Sequence, residues 1–218
     1  KYDCIVIGAG LAGITVAREL AERGNKKILI LEKREHIAGN CYDHENSDGI
    51  LIQQYGPHIF HTSNERVFKY MSRFTEWRQY QHTVVGNING LIVPIPFNLY
   101  SLHLVFGREK ADRLEKKLID TYGLNQKVPS LELRKSDDFE IREVANFVYE
   151  NIFLKYTMKQ WGKAPNEIDS TVTSRVPVYI STDNRYFQDP YQGIPLNGYT
   201  SLANKIVDHP NITVRYQT

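Results

Sequence analysis

Cysteine is scarce in this chain. Its 218 residues hold two, Cys4 and Cys41, with no CxxC and no zinc-ligand spacing. That excludes a disulfide framework and a structural zinc site, so no metal is expected, and a reducing, cytoplasmic setting is. An excess of charge of one sign is also lacking. Lys+Arg total 27 against 25 for Asp+Glu, a net charge of +2. No broad basic field results, and nucleic acid is not the expected partner. Long hydrophobic runs are missing too. The most apolar stretch, 4–17, is broken by Gly8, Gly10 and Gly13, is too short to span a bilayer and carries no signal-cleavage pattern. No membrane partner is expected. Internal repeats and low-complexity tracts are absent.

What is present is enough apolar residue, 41%, to bury a sizeable core. Residues 2–7 read as a fully buried strand, and 12–23 as a helix stopped by Gly24 in the C′ position. Residues 27–31 read as a second buried strand ending at Glu32. Strand, helix, strand makes one βαβ unit and predicts a parallel sheet. Thr62 followed by Glu65 spells a capping box before a helix over 66–74. Residues 82–85 and 91–95 read as paired strands around a turn at 87–90. A helix over 108–122 has Ala111, Leu114, Leu118 and Tyr122 on one face, with Gly123 ending it. Ile141, Val144, Ala145, Val148 and Ile152 fall at helical spacing behind Asp137 or Asp138 as the cap. A last helix over 199–207 and a last strand over 212–216 restore the α/β pattern. The predicted fold is therefore α/β: an FAD/NAD(P)-binding Rossmann-like domain over 1–78, an inserted mainly helical substrate domain with a short hairpin over 79–191, and a return to the first domain, truncated, over 192–218.

Gly8-Ala9-Gly10-Leu11-Ala12-Gly13 is GxGxxG between a strand and a helix. Gly8 makes the tight turn, Gly10 admits a pyrophosphate to the backbone, and Gly13 lets helix and strand pack closely. The helix N-terminus adds free N–H donors and positive dipole. Glu32, 19 residues past Gly13, is placed to accept hydrogen bonds from a ribose diol. The segment from Glu32 and Lys33 to the turn Gly39-Asn40 offers a second approach to the same cofactor, which tilts the reading from NAD to FAD. Gly8, Gly10, Leu11, Gly13, Glu32, Lys33, Gly39 and Asn40 are the candidate cofactor residues.

Further along, the chain resembles the UDP-galactopyranose mutase family. The resemblance rests on Gly39-Asn40, on Tyr55-Gly56-Pro57-His58-Ile59-Phe60-His61-Thr62, on Tyr156-Thr157-Met158-Lys159-Gln160-Trp161-Gly162, and on Ser174-Arg175-Val176-Pro177. Asp183-Asn184-Arg185-Tyr186-Phe187 and Gly198-Tyr199-Thr200 complete it. It implies a bacterial, cell-wall-related isomerase that interconverts UDP-galactopyranose and UDP-galactofuranose. Reduced FAD acts as the nucleophile, with no net redox change. By the same resemblance Arg175 contacts the substrate diphosphate and, with His61, is the candidate catalytic residue. Tyr156, Thr157, Gln160, Trp161 and Tyr186 line the substrate site; His61 and His58 lie by the flavin.

The chain departs from many bacterial members at Ile152-Phe153-Leu154-Lys155, where Phe-Phe-Lys-Gly is common. Family members are also substantially longer. A second diphosphate arginine, two tyrosines and a late Gly-Arg flavin segment belong beyond Thr218, so residues 1–218 alone are expected to be inactive. UDP-galactose is the expected substrate, and a homodimer is compatible with the reading. The alternatives are an FAD-dependent oxidoreductase of the amine oxidase type, or a nucleotide-binding module without chemistry of its own.

Overall fold

The computed structural model describes residues 1–163, 167 and 177–218. The chain forms two compact units, Lys1–Gln81 with Asp189–Thr218, and His82–Gln188.

In the first unit, β1 (Cys4–Ile7), β2 (Ile28–Glu32) and the final strand (Ile212–Tyr216) form a sheet with β2 in the middle. Both neighbours run parallel to β2, with Cys4 and Ile212 each opposite Ile28. Helix α1 (Leu11–Gly24) buries Ile14, Ala17 and Ala21 against Ile28 and Ile30 of the central strand. The helix Gly198–Val207 adds Tyr199, Leu202, Ala203 and Ile206 to the same core. The C-terminal end of that helix is held by Arg18, whose Nη1 donates to Ile206 O at 3.2 Å and to Asp208 O at 2.7 Å. A cation suits the unpaired carbonyls and negative dipole there.

Three expectations need correction in this unit. β1 is not fully buried: Cys4 and Val6 pack toward the core, while Ile5 and Ile7 are 62% and 79% exposed. The strand has β2 on one side and α1 on one face, and alternate residues follow opposite faces. Helix α1 runs through Gly24, and Asn25 takes the left-handed C-cap at φ 46°, its N–H bonded to Leu20 O. Asn tolerates that conformation through its short polar side chain. The helix after Thr62 spans Glu65–Met71 and is capped by Asn64, whose side chain accepts from the N–H groups of Arg66 and Val67. Thr62 Oγ1 instead accepts the Asn64 N–H, one step earlier.

The second unit contains the hairpin Val84–Ile88 and Leu91–Ile95. Asn89 and Gly90 turn it, both at positive φ as a two-residue loop of this hand requires. The helices Leu99–Phe106, Arg108–Tyr122 and Phe139–Val148 bury Leu102, Leu114, Leu118, Val144 and Val148 together. Asp138 caps the third, accepting from the N–H groups of Glu140 and Ile141.

That third helix runs into a π-helical turn, Tyr149–Phe153, and then into the helix Leu154–Trp161. The Leu154 N–H bonds Tyr149 O, five residues back, and the Asn151 amide donates to Phe147 O at 3.0 Å. A π turn holds one residue more than an α turn. The fully buried face therefore steps from Val148 to Phe153 and Thr157, and Ile152 is only partly buried. Among the described residues no helix is long and apolar enough to cross a membrane, and no group of three His, Cys, Asp or Glu is placed to hold a metal.

Candidate functional site

The first unit carries the glycine turn. Gly8 sits at φ 94° and its N–H donates to Leu31 O at 2.7 Å, which ties the turn to β2. A Cβ on Gly13 would lie 2.1 Å from Gly8 O and 3.2 Å from Val6 Cγ1, so α1 approaches β1 as closely as only glycine allows. Gly10 caps α1 without a side chain, leaving the first N–H groups of the helix from Leu11 onward without a side-chain partner. The second turn meets the first. The Ala38 N–H donates to Ala9 O at 3.0 Å, and a Cβ on Gly39 would stand 3.1 Å from Gly10 Cα. Two glycine turns are thus stacked backbone to backbone.

Glu32 binds this assembly together. It is 5% exposed; Oε2 accepts the Ala9 N–H at 2.7 Å and Oε1 accepts the Arg34 N–H at 2.9 Å. Burial works to raise the carboxyl pKa. The two backbone donors, with the charges of Arg34 and His36, outweigh it and hold the group below its ordinary value of 4.5. The sequence reading assigned Glu32 to a ribose. The structure makes it a brace between the two turns. A cleft of about 580 Å³ opens here, lined among others by Gly8, Glu32, Lys33, Arg34, Gly39 and Asn40. Sequence reasoning passed over Arg34. Its Nη2 donates to Asn40 Oδ1 at 2.9 Å and its guanidinium lies 4.5 Å from the centroid of the Tyr55 ring.

The two histidines of the GPHIFHT run differ. His58 Nδ1 lies 2.8 Å from Gly56 O, and its backbone N–H and C=O are both bonded by the Gln53 amide. His61 is central in the strand Phe60–Thr62, opposite Gln192 of the strand Tyr191–Pro195. Its Nδ1 lies 2.7 Å from Asp189 Oδ2.

A further long-range feature was not legible locally. Asp43, 3% exposed, accepts the N–H groups of Tyr199 at 2.6 Å and Thr200 at 2.8 Å. It thereby caps the helix Gly198–Val207. Gly198 sits at φ 83°, and a Cβ there would come within 2.7 Å of the Asp43 carboxylate. Burial pushes the Tyr199 hydroxyl well above the ordinary tyrosine range. The Gly-Tyr-Thr run is thus glycine for clearance, tyrosine for core and threonine for the cap.

In the second unit, the helix Leu154–Trp161 presents Tyr156 and Gln160 outward and draws Thr157 inside, at 3% exposure. Thr157 is therefore set apart from Tyr156 and Gln160, two of the other substrate candidates on this helix. Asp183 and Arg185 form a chelated pair at 2.7 Å and 3.0 Å. The guanidinium holds the Asp183 carboxyl below its ordinary range. Buried Asn98 ties Asn184 in turn, its amide donating to Asn184 Oδ1 at 2.7 Å. These bonds fix the backbone around Tyr186, whose N–H donates to His82 O at 2.7 Å. Burial, then the neighbouring Tyr156, raises the Tyr186 hydroxyl pKa. Arg175 lies outside the described residues, as does the side chain of Trp161.

A parallel βαβ unit with stacked glycine turns and a buried acid at the end of β2 defines a dinucleotide-binding, Rossmann-like protein, and residues 6–74 match the family model for an NAD(P)-binding Rossmann-like domain. Residues 151–218 match the model for UDP-galactopyranose mutase. Over nearly all of its length the chain is similar to members of the UDP-galactopyranose mutase family. It is 35% identical over 216 residues to a probable UDP-galactopyranose mutase of Klebsiella pneumoniae, covering 99% of this chain and 55% of that protein. It is 36% identical over 209 residues to a dTDP-fucopyranose mutase of Escherichia coli, covering 95% and 54%. A crystal structure of a reduced UDP-galactopyranose mutase shares the fold, with a TM-score of 0.66 at 17% identity over 99% of this chain and 49% of that one. The chain spans about half the length of the curated relatives it matches.

Proposed function

We propose that this chain holds the cofactor and part of the nucleotide sugar in a flavin-dependent isomerase that interconverts UDP-galactopyranose and UDP-galactofuranose. The observation that carries the reading is the match along 99% of the chain to nucleotide-sugar mutases, supported by a glycine turn at a helix N-terminus that has no side-chain cap. The resemblance to an oxidase, (S)-6-hydroxynicotine oxidase, covers 44% of the chain, which favours the mutase.

The residues of the first unit fit the adenosine diphosphate half of FAD. The Gly8–Gly13 turn and the free N–H groups of α1 receive the pyrophosphate, and Glu32 receives the ribose. Reduced FAD, when bound, supplies the electron pair that displaces UDP from the sugar. The chain's own residues bind and orient. Tyr156, Gln160, Trp161 and Tyr186 hold the nucleotide sugar, and Arg175 neutralises the diphosphate as its charge grows. Fixed cations act most strongly where charge develops. His61 would line the flavin end of the cofactor site.

The whole gene product, supplied with reduced FAD, is expected to convert UDP-galactofuranose to UDP-galactopyranose. Residues 1–218 alone are expected not to. Chromatography of the sugar nucleotides reads both. Absence of conversion by the whole protein, or faster conversion of dTDP-fucopyranose, would displace UDP-galactose as the substrate.

A further inference from the structure

The His61–Asp189 contact is a side-chain bond that the strand pairing does not require. His61 is already fixed by its backbone register opposite Gln192. The turn before that strand is closed separately, by the Gln192 amide donating to Asp189 O at 2.7 Å. His61 and Asp189 side chains are 38% and 28% exposed. Partly exposed pairs of this kind add little to stability. Their effect is directional instead. A carboxylate only accepts, so Asp189 Oδ2 at 2.7 Å from Nδ1 requires the hydrogen on Nδ1. In the neutral ring, Nε2 then carries the lone pair.

We propose that Asp189 is a positioning residue for His61, fixing the ring plane and keeping the hydrogen on Nδ1. This rests on the reading above that His61 would line the flavin end of the cofactor site. It adds that the useful state of His61 is set by a residue 128 positions away. Carboxylates that orient an imidazole in this way typically matter to activity far more than to folding.

The test uses the whole flavin-loaded protein and the variants Asp189→Ala, Asp189→Asn and His61→Ala. Nitrogen-15 spectra of labelled histidine should show His61 protonated at Nδ1 in the parent. That signature should be lost in Asp189→Ala and weakened in Asp189→Asn, whose amide can also donate to Nδ1 and so admit the other tautomer. Turnover should fall roughly 10- to 100-fold in Asp189→Ala, with KM within about threefold and flavin content unchanged, and should stay low in Asp189→Asn. In the His61→Ala background, Asp189→Ala should cost little more. Parent-like turnover in Asp189→Ala, or additive losses in the double variant, would overturn the proposal. An inactive parent protein would instead sink the mutase reading, while the tautomer measurement would still decide whether Asp189 sets the state of His61.

Discussion

The Ala9 N–H donates to Glu32 Oε2 at 2.7 Å, so the acid at the end of β2 grips the middle of the glycine turn at the end of β1. The same carboxylate holds the Arg34 N–H with its other oxygen. One buried charge therefore sets the spacing of the two segments that bound the cleft.

Replacing Glu32 by Ala leaves the Ala9 and Arg34 donors without this acceptor. A charged hydrogen bond contributes about 1.5–3 kcal/mol. Stability should fall by that order, and the FAD dissociation constant should rise. Because the folded pKa is depressed, the contribution is complete above the ordinary value of 4.5 and is lost as pH falls through the folded value. Melting curves of parent and Glu32→Gln should therefore converge in acid. A constant gap from neutral pH to well below 4 would show that the carboxylate charge is irrelevant.

Gly13→Ala should be severe. Its methyl would meet backbone, Gly8 O at 2.1 Å, not a yielding side chain. Helix and strand must separate, at about 1–3 kcal/mol or more. Urea titration and flavin content should both register the change. A normally folded variant that binds FAD like the parent would refute the close-packing account.

Asp43→Ala uncaps the helix Gly198–Val207 and strands two backbone donors, one buried and one part-buried. A loss of about 1–3 kcal/mol is expected. Asp43→Asn keeps one acceptor oxygen and should lose less. Denaturant midpoints of the three proteins should follow that order, and equal midpoints would mean solvent satisfies these groups.

In the whole protein, Arg175→Ala should lower turnover roughly 10²- to 10³-fold, the scale of a lost electrostatic group aimed at developing charge. Flavin content and melting temperature should hold. Turnover near that of the parent with reduced flavin would remove Arg175 from the diphosphate.

The sequence by itself determined the parts whose demands are local. GxGxxG between a strand and a helix is a backbone requirement met within a few residues, so the βαβ unit and its glycines were readable in order. The helix Arg108–Tyr122 was equally plain, because its buried Ala111, Leu114 and Leu118 repeat at helical spacing and glycine ends it. The family resemblance was readable because long, specific runs such as GPHIFHT carry it.

Tertiary structure alone decided the rest. Alternation cannot tell which face of β1 is covered, since that depends on what packs on the sheet, and Ile5 and Ile7 remain exposed. Helical periodicity carried past Val148 points Ile152 inward, but one extra residue in a π turn passes the buried face to Phe153 and Thr157. Asp43 reaches a helix 156 residues later, and Asp189 a histidine 128 residues earlier. Such partners satisfy charges and buried N–H groups across space. No spacing along the chain records them, because the bond depends on where the fold brings the groups.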